Sequence, residues 1–152
     1  MPRLWRLVRP EHAPGLDGEG ARLFGGRWNS PGHPLIYTSA TLSLALLEVW
    51  VHLHPDQRRA GSLADFVKVA VELPPSVAVE RYEAAPAELV DHRITRAFGD
   101  RWLTEGRAAV LSVPSAVIPE EPNLLLNPLH PDFAQVAVAL QLPFRFDERL
   151  AL

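Results

Sequence analysis

The chain has 152 residues, of which 47% are hydrophobic and 22% are charged, with no cysteine and a formal net charge of −3. This length predicts one compact domain over residues 1–152. The absence of cysteine excludes disulfides, thiolate metal sites, iron–sulfur clusters and a cysteine nucleophile. No apolar run reaches the ~20 residues that cross a bilayer, no secretory signal is seen, and the mild acidity argues against direct nucleic-acid binding. We therefore expect a soluble, cytoplasmic protein without a membrane partner.

Two short strands and one apolar helix are predicted in the first third of the chain. The strands fall at residues 4–8 and 35–37, and residues 10–26 between them carry five glycines and two prolines, which predicts a long loop. Long loops without secondary structure of their own are more often binding or lid elements than plain connections. Ser39 or Thr41 offers an N-cap to a helix over residues 41–54, which Pro55 ends.

The rest of the chain is predicted to be rich in strands. Alternating side chains indicate a strand at residues 66–73, and further strands are expected at 77–82, 108–113 and 124–126, with a final pair at 136–142 and 144–146. A second helix is predicted from Pro86 to a stop at Gly99. Strands outnumber helices and few connections are long enough for helical crossovers, so we predict an α+β fold with mixed or antiparallel sheets.

Glu48 is the most informative single residue of the sequence. It lies in a predicted helix whose residues 44–51 are otherwise apolar on every side, which is typical of a buried helix. Removing a carboxylate from water is costly unless a cation or hydrogen-bond donors compensate, and active sites make use of such groups. The alternative interpretation is that Leu44, Glu48 and His52 form a narrow stripe that reaches solvent.

Other candidates carry weaker signals. Two glycines precede Arg27, where the backbone can pass close to a ligand and the guanidinium can bind a phosphate or a buried carboxylate, although a plain turn fits as well. Trp28 and Tyr37 are placed to stack on a ring-shaped ligand. Ser115 follows a strand end without the flanking glycines of a nucleophile elbow, so it is interpreted as a hydrogen-bonding residue or a turn stabiliser.

The histidines do not favour a metal site. His52 and His54 are two residues apart, and on a helix they point about 200° away from each other, which is the wrong spacing for shared ligation. The sequence therefore predicts no metal centre, and a metal hydrolase is the weakest of the functional alternatives.

Taken together, five stretches resemble the RES-domain family of toxins in their order and spacing. They are residues 26–29, Tyr37, Glu48 in its apolar helix, residues 113–116, and residues 121–131. The similarity covers about residues 4–138, and the arginine, glutamate and serine of the family's triad fall on Arg27, Glu48 and Ser115. The resemblance implies a fold similar to that of ADP-ribosyltransferase toxins.

The resemblance also implies an activity on NAD⁺. Members of the family cleave the nicotinamide–ribose bond with water or phosphate as acceptor, and some transfer ADP-ribose to a protein, so the acceptor stays open here. Glu48 and Arg27 are the implied catalytic residues. The implied substrate-binding residues are Arg27, Tyr37, Ser115, Trp28 and Asn127.

The same resemblance implies partners. NAD⁺ would be the substrate, phosphate a candidate co-substrate, and no separate cofactor is expected. The implied protein partner is an antitoxin with an Xre-like helix-turn-helix domain, and a homodimer stays open. An inactive module that only binds its antitoxin is the alternative from another class, and the carboxylate inside an apolar helix argues against it.

Overall fold

One sheet organises the fold. The computed structural model describes residues 2–152. Within them lie strands β1 (Arg3–Val8), β2 (Ile36–Ser39), β3 (Asp65–Glu72), β4 (Val79–Arg81), β5 (Val110–Pro114), β6 (Pro122–Leu126) and β7 (Ala137–Arg145). The strands follow the order β4-β5-β6-β2-β1-β3-β7. All neighbours are antiparallel except β4 and β5, which are parallel.

Four α-helices accompany the sheet in residues 2–152. They are α1 (Glu19–Phe24), α2 (Leu42–His52), α3 (Pro86–Leu89) and α4 (His92–Glu105). The one parallel strand pair is joined by the connection that contains α3 and α4, as a parallel pair requires. This arrangement confirms the predicted α+β fold. None of the helices in this part of the chain is long and apolar enough to cross a membrane.

The helix that carries Glu48 lies where the sequence predicts it. Thr41 is its N-cap, and the Thr41 hydroxyl accepts a hydrogen bond of 3.1 Å from the Leu44 amide. Apolar residues of α2 pack against a small core cluster of Leu7, Phe66 and Phe146. The helix is therefore fixed against β1 and β3 along its inner side, and Glu48 is held in place by this packing.

The segment predicted as a loop over residues 10–26 contains a helix. Six of its residues, Glu19–Phe24, form α1, and none of them is buried. The helix is preceded by Gly18 and contains Gly20, and glycine is a poor helix former. Without a buried apolar stripe the sequence carries no periodic signal for it, which is why the prediction was wrong here.

The predicted stop of the second helix at Gly99 is also wrong. Residues 86–98 form parts of two helices, and α4 continues through Gly99 to Glu105, where Gly106 in the left-handed conformation caps it. Gly99 has another purpose, because a Cβ built on it would lie 1.7 Å from the Trp28 carbonyl oxygen. This glycine lets α4 touch the backbone beside Arg27.

The predicted final pair of strands is one continuous strand. Residues 137–145 form β7 at the edge of the sheet, with a register shift opposite Ala70 and Val71. Pro143 indicated a break in the sequence, but a proline is tolerated in an edge strand because not every amide there has a partner.

The sheet opens between β1 and β2. These two strands share a single register pair, Trp5 with Ser39, whereas β1 and β3 share six. Residues of β1, β2, α2 and α4 line a cavity at this place. The fold thus creates a cleft at the centre of the sheet rather than at its edge.

Candidate active site

A cavity of about 1100 Å³ occupies the cleft where β1 and β2 part. Its wall includes Arg6, Arg27, Tyr37, Glu48 and Arg96, which come from β1, β2, α2, α4 and the segment before β2. Sites for small molecules usually measure about 300–1000 Å³, so the space suits a ligand as large as a dinucleotide. A smaller cavity of about 300 Å³ beside Ser112 contains none of the predicted site residues.

The Glu48 carboxylate is held by two hydrogen bonds to one oxygen. Ser115 Oγ donates to Glu48 Oε1 at 2.6 Å, and Asn123 Nδ2 donates to the same oxygen at 2.7 Å. The second oxygen, Oε2, receives no hydrogen bond from residues 2–152. One carboxylate oxygen therefore fixes the side chain and leaves the other free to accept from a ligand in the cavity.

Ser115 holds the Glu48 side chain in position. It is fully buried, and its hydroxyl oxygen accepts from the amides of Val117 at 3.0 Å and Ile118 at 3.1 Å while its proton goes to Glu48. A hydroxyl with these three partners has no capacity left for a substrate. The structure therefore brings Ser115, and not Ser112, to Glu48, in a supporting position.

Asn123 is a site residue that the sequence analysis missed. Its Nδ2 donates to Glu48, and its Oδ1 accepts from Ser39 Oγ at 2.8 Å, which links the end of β2 to the carboxylate. Asn127, which the resemblance implied, lies four residues further along the chain, about 13 Å away in an extended strand. It is buried outside the cavity and its Oδ1 accepts from the Leu129 amide. The asparagine that serves this site is Asn123.

Tyr37 supports the segment that carries Arg27, here called the Arg27 segment (residues 25–29). Its hydroxyl donates to Asn29 Oδ1 at 2.7 Å and accepts from the Trp28 amide at 3.0 Å. A Cβ on Gly26 would lie 2.5 Å from this hydroxyl, so only glycine permits the contact. Burial raises the pKa of Tyr37, which keeps the hydroxyl protonated as a donor. Tyr37 thus forms part of the cavity wall and also fixes the backbone beside it.

The Arg27 segment is also held by α4. Thr95 Oγ1 donates to the Arg27 carbonyl at 2.5 Å, and Arg96 Nε donates to the Gly26 carbonyl at 2.8 Å. The Arg27 side chain donates through Nη1 to the carbonyl of Leu89 at 2.6 Å. In residues 2–152 no carboxylate forms a salt bridge with Arg27, so its charge is available to an anion in the cavity.

Arg6 is a second residue that the sequence analysis missed. Its Nη1 donates to the Tyr37 carbonyl at 3.0 Å across the opening of the sheet, while the buried Nε has no partner within residues 2–152. Burial lowers the pKa of Arg6 to about 10, against a smaller opposing effect of Asp17. A buried guanidinium without a paired carboxylate destabilises the fold, which suggests that it is retained to bind an anion. The signal was present in the sequence, because Arg6 alternates with Leu4 and Val8 on the inward face of a strand.

His92 completes the basic side of the cavity. His92 is exposed, and its pKa is lowered, first by partial desolvation and then by the charges of Arg27 and Arg96, against a smaller opposing effect of Asp91. The neighbouring charges show that these three groups share one region of the wall. An anion bound there would contact two guanidinium groups and an imidazole. Because the anion would neutralise the charges of Arg27 and Arg96, it would also raise the pKa of His92.

Trp28 is not placed to stack on a ligand. Its side chain is 2% exposed and packs edge-to-face against Tyr82 and Phe98 within a core cluster that also contains Trp102. Trp28 borders the cavity, but its ring is packed into this core cluster, and the backbone of the Arg27 segment lies directly on Gly99 of α4. Trp28 is therefore a core residue that anchors the segment, while Tyr37 remains on the cavity wall.

Titratable side chains do not gather into a metal site in the part of the chain that the structure describes. No group of three histidine, aspartate or glutamate side chains in residues 2–152 could hold a metal ion. His52 Nδ1 lies 2.6 Å from the Glu48 carbonyl oxygen, and His54 caps the following turn, so each histidine has a local role.

Comparison with known proteins identifies the family. The model of the RES domain matches residues 3–147. The chain belongs to the RES domain family. It is 34% identical to the "Prs ADP-ribosylating toxin" of Sphingobium sp. (strain YBL2), over 96% of this chain and 94% of that protein. It is 33% identical to "Toxin Res" of Photorhabdus laumondii, over 97% of this chain and 96% of that protein.

The fold of this RES-domain protein also occurs in a solved complex. The structure of the M. tuberculosis MbcT–MbcA toxin–antitoxin complex matches 97% of this chain and 85% of its own, with a TM-score of 0.72 and 21% sequence identity. At this identity the similarity concerns the fold. The family membership and the named relatives together make the chain a RES-domain toxin.

Proposed function

We propose that this RES-domain toxin cleaves the nicotinamide–ribose bond of NAD⁺. The observation that carries the proposal is the pairing, in one cavity, of a carboxylate with one free oxygen and two arginines that form no salt bridge within residues 2–152. The carboxylate belongs to Glu48, and the arginines are Arg6 and Arg27. NAD⁺ has the matching groups, because a pyrophosphate that carries two negative charges lies next to a ribose that becomes positive during cleavage.

The arginines account for binding of the pyrophosphate. Arg6 and Arg27 both line the cavity, one from β1 and the other from the Arg27 segment. Guanidinium groups form directed, charge-assisted hydrogen bonds to phosphate oxygens, and such bonds are stronger where water is excluded. Binding at this place would put the nicotinamide riboside towards α2 and Glu48.

Glu48 accounts for the chemical step. When the bond between ribose C1′ and the pyridinium nitrogen breaks, its electron pair goes to nicotinamide, which leaves as a neutral molecule without an added proton. The ribose then has oxocarbenium character, which a fixed carboxylate stabilises by charge and by accepting hydrogen bonds from the ribose hydroxyls. An acceptor oxygen bonds to C1′ and releases its proton. This reaction needs one fixed carboxylate beside C1′, and Glu48 would supply it.

Transfer of ADP-ribose to a protein is the second candidate. The name of the Sphingobium relative, which is called an ADP-ribosylating toxin, favours it. The same residues would serve, because only the acceptor that attacks C1′ differs. Water, phosphate and a protein side chain therefore remain three acceptors for one proposed bond cleavage.

We further propose an antitoxin as the protein partner. The solved structural neighbour is a toxin–antitoxin complex, and the relatives from Photorhabdus and Yersinia enterocolitica are named as toxins. An antitoxin with an Xre-like domain that covers the cavity would keep NAD⁺ away from Glu48. We expect both proteins to act in the cytoplasm, where NAD⁺ is present.

Product analysis tests the proposal. The purified protein is incubated with NAD⁺, with and without phosphate, and with a cell extract that supplies protein acceptors. ADP-ribose indicates hydrolysis, ADP-ribose-1″-phosphate indicates phosphorolysis, and label on a protein indicates transfer. If no nicotinamide is released in any of these reactions in the absence of antitoxin, the proposed activity is refuted.

A further inference from the structure

Phe24 is an aromatic side chain in an unusual position. It lies at the end of α1, lines the cavity and is 81% exposed. Of the aromatic residues that line this cavity within residues 2–152, it is the most exposed, because Trp28 and Phe66 are buried and Trp5 and Tyr37 are half-buried. A phenyl ring that faces solvent at the wall of a ligand-sized cavity suggests contact with a flat apolar group.

The structure holds α1 next to Arg27. Asn29 Nδ2 donates to the Ala21 carbonyl at 2.8 Å, and the Gly32 amide donates to the Arg22 carbonyl at 2.7 Å. Both bonds join the helix to the Arg27 segment or to the residues just after it. The backbone of α1, which carries Phe24, is therefore positioned by the same segment that presents Arg27.

Glu48 is anchored at a different part of the cavity. Its partners are Ser115, which follows β5, and Asn123 of β6, whereas Phe24 belongs to the helix that is hydrogen-bonded to the Arg27 segment. In the proposed binding mode, the nicotinamide riboside lies at Glu48 and the pyrophosphate at Arg27. The remaining half of the dinucleotide must then extend beyond Arg27, towards α1.

We propose that Phe24 stacks on the adenine ring of the dinucleotide and thereby favours substrates that carry a planar base beyond the pyrophosphate. This inference rests on the proposed function. Stacking on a planar base would cover the exposed face of the phenyl ring, and such contacts tolerate changes of the base because they need no hydrogen-bond pattern. Arg27 would hold the phosphates and Phe24 the base, so each half of the ligand has its own contact.

Binding of ADP and of inorganic pyrophosphate tests the assignment without relying on catalysis. ADP has the base and two phosphates, whereas pyrophosphate has the phosphates alone. Dissociation constants are measured by calorimetry for wild type, Phe24→Ala, Phe24→Trp and the control Leu129→Ala. Leu129 is 75% exposed and lies outside the cavity, so its replacement removes a similar apolar surface elsewhere.

The expected result separates the two ligands. Phe24→Ala raises the dissociation constant of ADP by about 10-fold or more, as loss of one base–aromatic contact does, and leaves that of pyrophosphate unchanged. Phe24→Trp keeps the affinity for ADP, and Leu129→Ala changes neither ligand. If wild type does not bind ADP saturably, or if Phe24→Ala binds ADP as wild type does, the assignment is overturned.

Two further outcomes would also overturn it. Equal weakening of ADP and pyrophosphate in Phe24→Ala would mean that the side chain only supports the Arg27 segment. Unchanged ADP affinity with weaker antitoxin binding would assign the exposed ring to the protein partner. Cleavage of NAD⁺ by wild type is measured separately, so failure of this inference is distinguishable from failure of the proposed function.

Discussion

Ser115 Oγ donates a hydrogen bond of 2.6 Å to Glu48 Oε1, although 67 residues separate the two in the chain. The serine is fully buried and the glutamate lines the cavity. Two of the three residues on which the resemblance places the family triad are therefore joined directly, one on the cavity wall and the other as its support. This relationship predicts different consequences for their replacement.

Ser115→Ala should lower both activity and stability. The substitution removes a donor to Glu48 and leaves the amides of Val117 and Ile118 without an acceptor, which costs about 1–3 kcal/mol of folding free energy. A carboxylate that is no longer held in place should lower kcat by up to about 100-fold. The control is Ser112→Ala, whose hydroxyl makes no contact with Glu48. Equal effects of the two variants on kcat would contradict the positioning role.

Gly99→Ala should disrupt the Arg27 segment. The added methyl group would lie 1.7 Å from the Trp28 carbonyl oxygen, so either α4 or the segment must move. We expect a loss of several kcal/mol of stability, as is typical of overpacking against rigid backbone, and a much higher KM for NAD⁺. Gly20→Ala is the matched control for stability, because nothing lies within 4 Å of its added methyl group. Thermal unfolding of both variants checks the prediction, and similar melting temperatures would refute it.

Arg6→Met should separate binding from stability. The folded chain releases the Arg6 proton more readily than the unfolded chain, so the charged side chain lowers stability at every pH below about 10. The shift from 12.5 corresponds to about 3 kcal/mol. The variant should therefore melt no lower than wild type, while its KM for NAD⁺ rises by roughly 30-fold or more because a buried charge contact is lost. Arg101→Met, on the exposed side of α4, should change neither value. A destabilised variant with normal KM would show that Arg6 is structural.

The pKa of His92 should depend on its arginine neighbours and on the ligand. Partial desolvation and the charges of Arg27 and Arg96 lower it, so the unfolded chain takes up this proton more readily than the folded chain. The contribution of His92 to stability therefore decreases as the pH falls through its unfolded value of about 6.5. An NMR titration should show the pKa rising in Arg96→Gln and on addition of NAD⁺. If neither change moves it, the imidazole does not face the proposed phosphate site.

Local sequence patterns were sufficient for the elements that carry and surround Glu48. The apolar spacing of α2 and its Thr41 cap predicted the helix of Glu48, although only Leu44 and Ala45 of this helix are buried, and the strands β1, β3 and β5 follow from alternation and apolar runs. These signals are local, since one helix or strand contains all the residues that produce them. The fold class could therefore be predicted.

The surroundings of the carboxylate could not be predicted, because they depend on contacts between distant segments. Asn123 reaches Glu48 only after β6 pairs with β2, and Gly99 meets Trp28 only after α4 packs on the Arg27 segment. The stacking role expected for Trp28 illustrates the same limit, since an aromatic residue beside a functional arginine gives no local sign that its ring is buried. Arg6 was the one omission with a local signal.

Release of nicotinamide from NAD⁺ by wild type and by Glu48→Gln tests the central claim most directly. Glutamine keeps Oε1 as an acceptor for Ser115 and Asn123, so the fold should persist, but the negative charge that stabilises the ribose is lost. Wild type should release nicotinamide, Glu48→Gln should do so at least about 100-fold more slowly, and the exposed control Glu105→Gln should match wild type. Equal rates of release by Glu48→Gln and wild type, with both proteins folded, would contradict the account.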